Sequence, residues 1–342
     1  MSYEDTVFGS VPVKEAGSWE LLEHFLKPVL PHFNNPLVTE ICVNRYDEMY
    51  VEINNVLERV DSGFASEQKL VEFIRQLGIV LKQPVGPDNP ELDARFPNGA
   101  RISCTLSLMT PAGATFSLRC KPTKAFTMAE LVGLGALTSE MADYIAERVR
   151  GAATMLVTGN TGSGKTAMLR ACGGFIDKRE RLCTAEDTLE LGMREMLPNV
   201  VAFEAPYREP KPGVRVINLA SCIRKFLRYR PDRGWVGEIR DAAACDAFFQ
   251  FIYTGHRGSA ASLHTNGPDD TVPRLQYLMS SAGLISYDLA GRMILGVLDL
   301  MIHCSRDPRY GRKVTDIVEV RNGELHPIFV YDVEAGKHRR VD

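Results

Sequence analysis

Eight residues, Gly159-Asn-Thr-Gly-Ser-Gly-Lys-Thr166, limit what this chain can fold into more than any other stretch. They fit G-x-x-x-x-G-K-[ST], in which glycines let the backbone turn tightly enough for successive N–H groups to converge on phosphate oxygens. The whole loop, Gly159, Asn160, Thr161, Gly162, Ser163, Gly164, Lys165 and Thr166, is therefore expected to cradle the phosphates of ATP. Lys165 is placed to reach the β- and γ-phosphates, and the Thr166 hydroxyl to ligate Mg²⁺. Such a loop needs a buried strand before it and a helix after it. Residues 154–158, Thr-Met-Leu-Val-Thr, form a short apolar run suited to a parallel core strand. Residues 165–176 then start a helix whose N-terminal dipole faces the phosphates.

A chain of 342 residues exceeds what one core usually organises, so two domains are expected. Net charge is −3, which supplies no global basic field for nucleic acid or an anionic membrane. The eight cysteines, at 42, 104, 120, 172, 183, 222, 245 and 304, contain no C-x-x-C pair. They read as buried, reduced thiols of a cytosolic protein rather than a disulfide framework or a four-thiolate zinc site. The first 15 residues carry acids and lack an apolar core, so no signal peptide is expected. No window approaches 18 apolar residues, and Ile294–Ile302 is interrupted by Asp299, so no transmembrane segment is expected either.

Along the chain, residues 1–17 read as a lead-in. Trp19, Leu22, Phe25 or Leu26, and Val29 or Leu30 recur at helical spacing up to Pro31, which is expected to end that helix. Alternation over 38–60 (Ile41, Val43, Met49, Val51, Ile53) predicts an antiparallel hairpin. A helix is expected over 67–82 on the stripe Leu70, Phe73, Ile74, Leu77 and Leu81, with strands at Arg101–Leu106 and Thr115–Cys120. Residues 1–120 thus make an N-terminal α+β domain, and 121–127, with Pro122, a linker. Residues 128–342 form the second domain. Helices near 127–133 and 138–149 precede the loop strand, and strands at 181–186, 200–204, 234–238 and 259–264 alternate with helices at 218–229, 241–253 and 269–281. That alternation is the pattern of an α/β parallel sheet with helices on its faces. Strands at 314–320 and 325–331 close the chain.

Carboxylates downstream of the loop decide what happens to the triphosphate. Glu186, after Arg181-Leu-Cys-Thr-Ala, and Glu238, after Gly234-Trp-Val-Gly, end predicted strands, where α/β sheets place ligand groups. Either can hold the Mg²⁺ shell or orient the attacking water. Arg230 and Arg233 precede the Glu238 strand and Arg240 follows it; each could meet the γ-phosphate in cis or a neighbouring subunit's nucleotide, or simply cap a solvated helix end. His264, followed by Thr265 and Asn266, is either a γ-phosphate sensor or a satisfied core histidine.

Four ordered segments together resemble the ATPases of bacterial type II and type IV secretion, conjugation and pilus systems. They are the Walker A loop 159–166, an Asp box at Thr184–Leu191, a Walker B region at Arg230–Asp241 and a His box at Gly255–Asn266 followed by Arg274-Leu275. The resemblance runs from about Val38 to the end, and thins between 284 and 312. It looks closest to the type IV secretion, conjugation and tight-adherence pilus branch. The Arg-Pro-Asp-Arg run at 230–233, Gly-His-Arg-Gly at 255–258 and Lys313–Val320 fit that branch, as do Val38–Asn44 and Asp93–Ile102.

The resemblance implies a RecA-like P-loop NTPase domain after the N-terminal domain, and basic residues of the latter, matching Arg95, Arg101 and Arg119, that close over the nucleotide. It also raises His264, Glu186 and Glu238 as functional residues. A homohexameric ring at the cytoplasmic face of the inner membrane, working with inner-membrane components of a secretion or pilus machine, is what the family implies. Direct nucleic-acid binding is not expected. Two further classes remain compatible with the residues: a ring motor acting on nucleic acid, disfavoured by charge and by the lack of an aromatic–basic strip, and an ATP-binding switch or scaffold with negligible turnover.

Overall fold

The computed structural model describes residues 24–342 except 54–55, 62, 81–82, 97–98, 121–125, 206–215, 282 and 284. The chain divides into two units, Met1–Lys124 and Ala125–Asp342. The expected lead-in, the start of the first expected helix and most of the expected linker lie outside the described residues.

In the first unit, Val38–Arg45 (β1), Glu48–Ile53 (β2), Val56–Val60 (β3), Glu91–Arg95 (β4), Arg101–Thr105 (β5) and Thr115–Arg119 (β6) make an antiparallel sheet in the order β3-β2-β1-β6-β5-β4. Alternate residues Ile41 and Val43 of β1 and Phe116 and Leu118 of β6 point into one core. Helix Glu67–Val80 contributes Leu70, Phe73, Ile74 and Leu77 to it, as its 3.6-residue stripe dictates. Leu81 lies outside the described residues.

Two expectations need correction here, and one strand, β4, had no expectation. Residues 38–60 form a three-stranded meander, not a hairpin: β3 is exposed over Val56–Arg59 and carries no inward alternation, and its pairing with β2 alone defines it. Strand β4 has one fully buried residue, Leu92, too few for a sequence signal. Pro31 does not end a helix; it sits in the first turn of Leu30–Phe33, where a missing N–H costs no helical hydrogen bond.

The second unit holds Met155–Gly159 (β7), Leu182–Glu186 (β8), Val200–Glu204 (β9), Arg233–Ile239 (β10), Ala260–His264 (β11), Leu300–Asp307 (β12), Gly311–Arg321 (β13), Glu324–Asp332 (β14) and Lys337–Arg340 (β15). Among the described residues the sheet order is β15-β14-β13-β12-β7-β11-β10-β8-β9. Strands β12 to β9 run parallel, and β12 to β15 pair antiparallel. Every residue of β7 and β8 is buried, as a strand covered on both faces requires.

Successive side chains of β7 alternate between two cores. Met155 and Val157 join the helices Met128–Gly133 (α1), Ser139–Arg150 (α2) and Lys165–Gly173 (α3). Leu156 joins Leu219–Phe226 (α4), Ala242–Tyr253 (α5), Thr271–Ser281 (α6) and Tyr287–Val297 (α7) on the other face. Helix α7 and strand β12 lie outside the sequence expectations. They adjoin across Leu298-Asp299, so their apolar residues run together and no single period stands out.

Candidate active site

Parallel pairing lines up the carboxyl ends of the strands. In register, Gly159 of β7 lies between His264 of β11 and Cys304 of β12, with Glu186 and Glu238 near the ends of β8 and β10. The phosphate loop leaves β7 at this edge, where open α/β sheets gather their ligands. Gly159, Gly162 and Gly164 take φ of +145°, +71° and +97°. A Cβ on Gly159 would stand 1.9 Å from the Cys304 carbonyl oxygen, so the loop can start there only as glycine. Gly164 is the N-cap of α3, and Lys165 and Thr166 open that helix.

Lys165 is buried and donates to the carbonyls of Gly159 (3.1 Å) and Asn160 (2.9 Å), and its Nζ lies 3.1 Å from His264 Nδ1. On the far side of the imidazole, Nε2 is 3.1 Å from Glu238 Oε1. An ammonium only donates and a carboxylate only accepts, so the network assigns His264 as the neutral tautomer, Nδ1 accepting and Nε2–H donating. Burial first, then Lys165 and Arg240, hold the His264 pKa below its ordinary 6.5 against the opposing pull of Glu238. Burial alone would raise the Glu238 carboxyl, but the Arg240 guanidinium, then His264 and Lys165, outweigh it and keep it below its usual range. Arg240 grips Glu238 by two bonds, Nε to Oε1 at 2.8 Å and Nη2 to Oε2 at 3.3 Å.

Glu186 is buried beside Gly237, and its Oε2 accepts the N–H groups of Glu190 (2.7 Å) and Leu191 (2.9 Å). One of its oxygens thus fastens the segment after β8. Glu238 is the acid in direct contact with His264.

Arg233 is not at this edge. It opens β10, five residues before Glu238, which puts about 16 Å of strand between them. Its guanidinium is buried and fully engaged, with Nε and Nη2 on Glu180 at 2.5 and 2.8 Å and Nη1 on the Val149 carbonyl at 2.7 Å. A cis phosphate contact or an intersubunit finger is closed to such a group. Arg230, with φ +49°, lies in the connection before the same strand end, so a cis contact with this unit's loop is closed to it as well. In the first unit, Arg95, Arg101 and Arg119 face one another in a single transverse row of β4, β5 and β6.

A cavity of about 590 Å³ opens beside the loop; Asn160, Thr161, His264, Thr265, Asn266 and Arg274 are among its lining. Its size suits a nucleotide-scale ligand. Two buried hydroxyls here, Ser163 Oγ and Thr265 Oγ1, have no hydrogen-bond partner among the described residues. Stranded buried hydroxyls next to glycine N–H groups and Lys165 fit a phosphate ligand, which would satisfy them. For Mg²⁺, no cluster of three or more His, Cys, Asp or Glu gathers among the described residues. Thr166, one carboxylate such as Glu238, and phosphate oxygens are the donor set that cation ordinarily takes.

Residues outside the sequence expectations also meet the loop. Arg306 and Arg312, opposite each other on β12 and β13, contact Asn160 and Gly162. His303, buried, has its Nδ1 2.8 Å from the Thr158 hydroxyl at the foot of the loop. The basic run Arg306-Asp-Pro-Arg-Tyr-Gly-Arg-Lys313 was the one available signal, and it needs β12 to acquire a place.

The family described as Type II/IV secretion system protein matches residues 24–326. A putative conjugal transfer protein of Mycobacterium tuberculosis H37Rv is 28% identical over 306 residues, 87% of this chain and 86% of its own. The VirB11 protein of Agrobacterium fabrum is 28% identical over 287 residues, covering 76% of this chain and 82% of that one. Among solved structures, the Legionella pneumophila ATPase DotB superposes with a TM-score of 0.61 at 20% identity, over 92% of this chain and 82% of its own. The pilus retraction motor PilT with bound ADP does so with a TM-score of 0.59 at 18% identity, over 88% and 83%. The fold is thus an N-terminal domain followed by a RecA-like α/β domain. No helix among the described residues is long and apolar enough to cross a membrane. With its phosphate loop, Lys165, His264 and Glu238 gathered at one sheet edge, the chain belongs to the type II/IV secretion system protein family, on the type IV side of it.

Proposed function

We propose that this chain hydrolyses ATP to power assembly or transport in a type IV secretion, conjugation or pilus system. It would act as a homohexameric ring on the cytoplasmic face of the inner membrane, with inner-membrane components of that machine as partners. The observation that carries the chemical part is the hydrogen-bonded line Lys165–His264–Glu238 at the mouth of the phosphate loop. Glycine-loop N–H groups and Lys165 would hold the phosphates. Bound Mg²⁺, held through Thr166 and Glu238, would neutralise charge on the β- and γ-oxygens.

Glu238 would also orient the water for in-line attack. Its pKa, kept low by Arg240, makes it an acceptor that positions the water rather than a strong base. His264, neutral and linked to both Lys165 and Glu238, would report whether a γ-phosphate is present. Arg240 would stabilise charge developing on the transferred group. Glu186 would act by holding the segment after β8 in place. Arg95, Arg101 and Arg119, aligned in one row across β4, β5 and β6, are proposed to receive an anion through the planar guanidinium geometry that suits phosphate.

The test is phosphate release from ATP and Mg²⁺ alongside light scattering, with Lys165→Ala as control. Slow hydrolysis above that control together with an ATP-favoured, six-subunit mass supports the proposal. Release equal to the control refutes hydrolysis, and a monomer under every condition refutes the ring.

A further inference from the structure

The hairpin joining β12 and β13 is fastened to the phosphate loop, and nothing in the chemistry above uses it. Asn160 and Arg306 exchange two bonds: the Arg306 N–H donates to Asn160 Oδ1 at 3.1 Å, and Asn160 Nδ2 donates to the Arg306 carbonyl at 3.2 Å. Arg312 Nε then donates to the Gly162 carbonyl at 2.7 Å. The Arg306 guanidinium also lies against Gly162, its Nη1 3.0 Å from where a Cβ would be. The turn between the two arginines is braced, because Asp307 accepts the Arg309 N–H at 2.9 Å and two guanidinium bonds at 2.8 Å each. A hairpin built this way can hold another element still.

What it holds is a peptide that glycine leaves free to flip. A trans peptide carries its C=O and the next N–H in opposite directions. With the Gly162 carbonyl fixed on Arg312, the Ser163 N–H is turned the other way, across the loop toward the Asn160 carbonyl at 3.4 Å. That contact is long and weak, easily given up to an anion. Gly162, at φ +71°, has no side chain to resist the flipped orientation, which would aim a carbonyl at an incoming phosphate.

We propose that Arg312 is a positioning residue of the phosphate loop. It keeps the 162–163 peptide with its N–H turned to receive a phosphate of a nucleoside di- or triphosphate, while the Asn160–Arg306 pair anchors the loop's leading end. This rests on the nucleotide-binding function proposed above.

Arg312→Met keeps the apolar stem and removes the donor, whereas Arg312→Lys keeps a donor. In the full chain, Arg312→Met should raise the KM for ATP and the Kd for ADP about tenfold, with kcat changed less than about twofold, the loss expected for one charge-assisted bond. Arg312→Lys should recover most of that affinity. Amide exchange over 159–168 in nucleotide-free protein should quicken in Arg312→Met and return in Arg312→Lys. Wild-type KM in Arg312→Met, equal impairment of both variants, or unchanged exchange overturns the proposal. Should the wild type itself bind neither ATP nor ADP, the nucleotide function fails, and the exchange comparison decides on its own whether Arg312 positions the loop.

Discussion

Replacing Gly159 by alanine tests whether strand register, rather than the motif alone, dictates the first glycine of the loop. The added methyl would stand 1.9 Å from the Cys304 carbonyl oxygen and 2.8 Å from Ser163 Oγ. A relaxed C···O contact needs about 3.3 Å, so strand β12 or the loop must give way by roughly 1.4 Å. Strand β12 has little freedom to do so, being paired with β7 on one side and β13 on the other. Forcing such overlap into a packed sheet costs about 1–3 kcal/mol. Holding a non-glycine residue at φ +145° adds about 1–3 kcal/mol.

The sum is about 4 kcal/mol, or about 8–16 °C in the melting temperature of a unit this size. Trp235, wholly buried in the second unit, provides the fluorescence readout. Gly164→Ala is the internal comparison. Its φ of +97° carries the backbone strain, but a Cβ there meets open space, so it should lose only about 1–2 kcal/mol. If both variants melt within about 2 °C of each other, the close approach of Cys304 is not what demands glycine at 159.

Three further outcomes follow from the same geometry. Glu238→Gln should bind ATP within about threefold of wild type and slow hydrolysis roughly a hundredfold or more; unchanged turnover in a phosphate-release assay removes Glu238 from the site. Arg233→Ala strands Glu180 and the Val149 carbonyl, and should cost about 3 kcal/mol in urea unfolding while sparing kcat in the protein that stays folded; a kcat collapse without loss of stability would return Arg233 to the catalytic set.

His264 has a folded-state pKa below 6.5, so the stability it contributes is complete above that pH and is lost as pH falls beneath it, where a protonated Nδ1 would face Lys165. Glu238, also lowered, adds a loss only below 4.5. Between pH 7 and 5, His264→Gln should therefore flatten the fall in melting temperature, with the part due to His303, shifted the same way by burial, left in place. An identical slope in variant and wild type contradicts the neutral-imidazole assignment.

Taken alone, the sequence determined what depends on local spacing. The phosphate loop, the buried strand before it and the helix after it are short-range consequences of glycine freedom, apolar runs and helix periodicity; Lys165 opens that helix, and Glu238 and His264 lie at strand ends readable from local pattern. Strands with one burial pattern or none, β3 and β4, escaped because edge pairing rather than hydrophobic alternation creates them. Tertiary structure decided everything that turns on strand order. Arg233 and Glu238 are five residues apart and look equivalent in sequence, yet a strand's rise sends one to the buried far edge and the other to the phosphates. Only the parallel docking of β12 beside β7 brings Cys304, Arg306 and, through the hairpin, Arg312 onto a loop about 150 residues earlier, and no local pattern encodes a contact of that range.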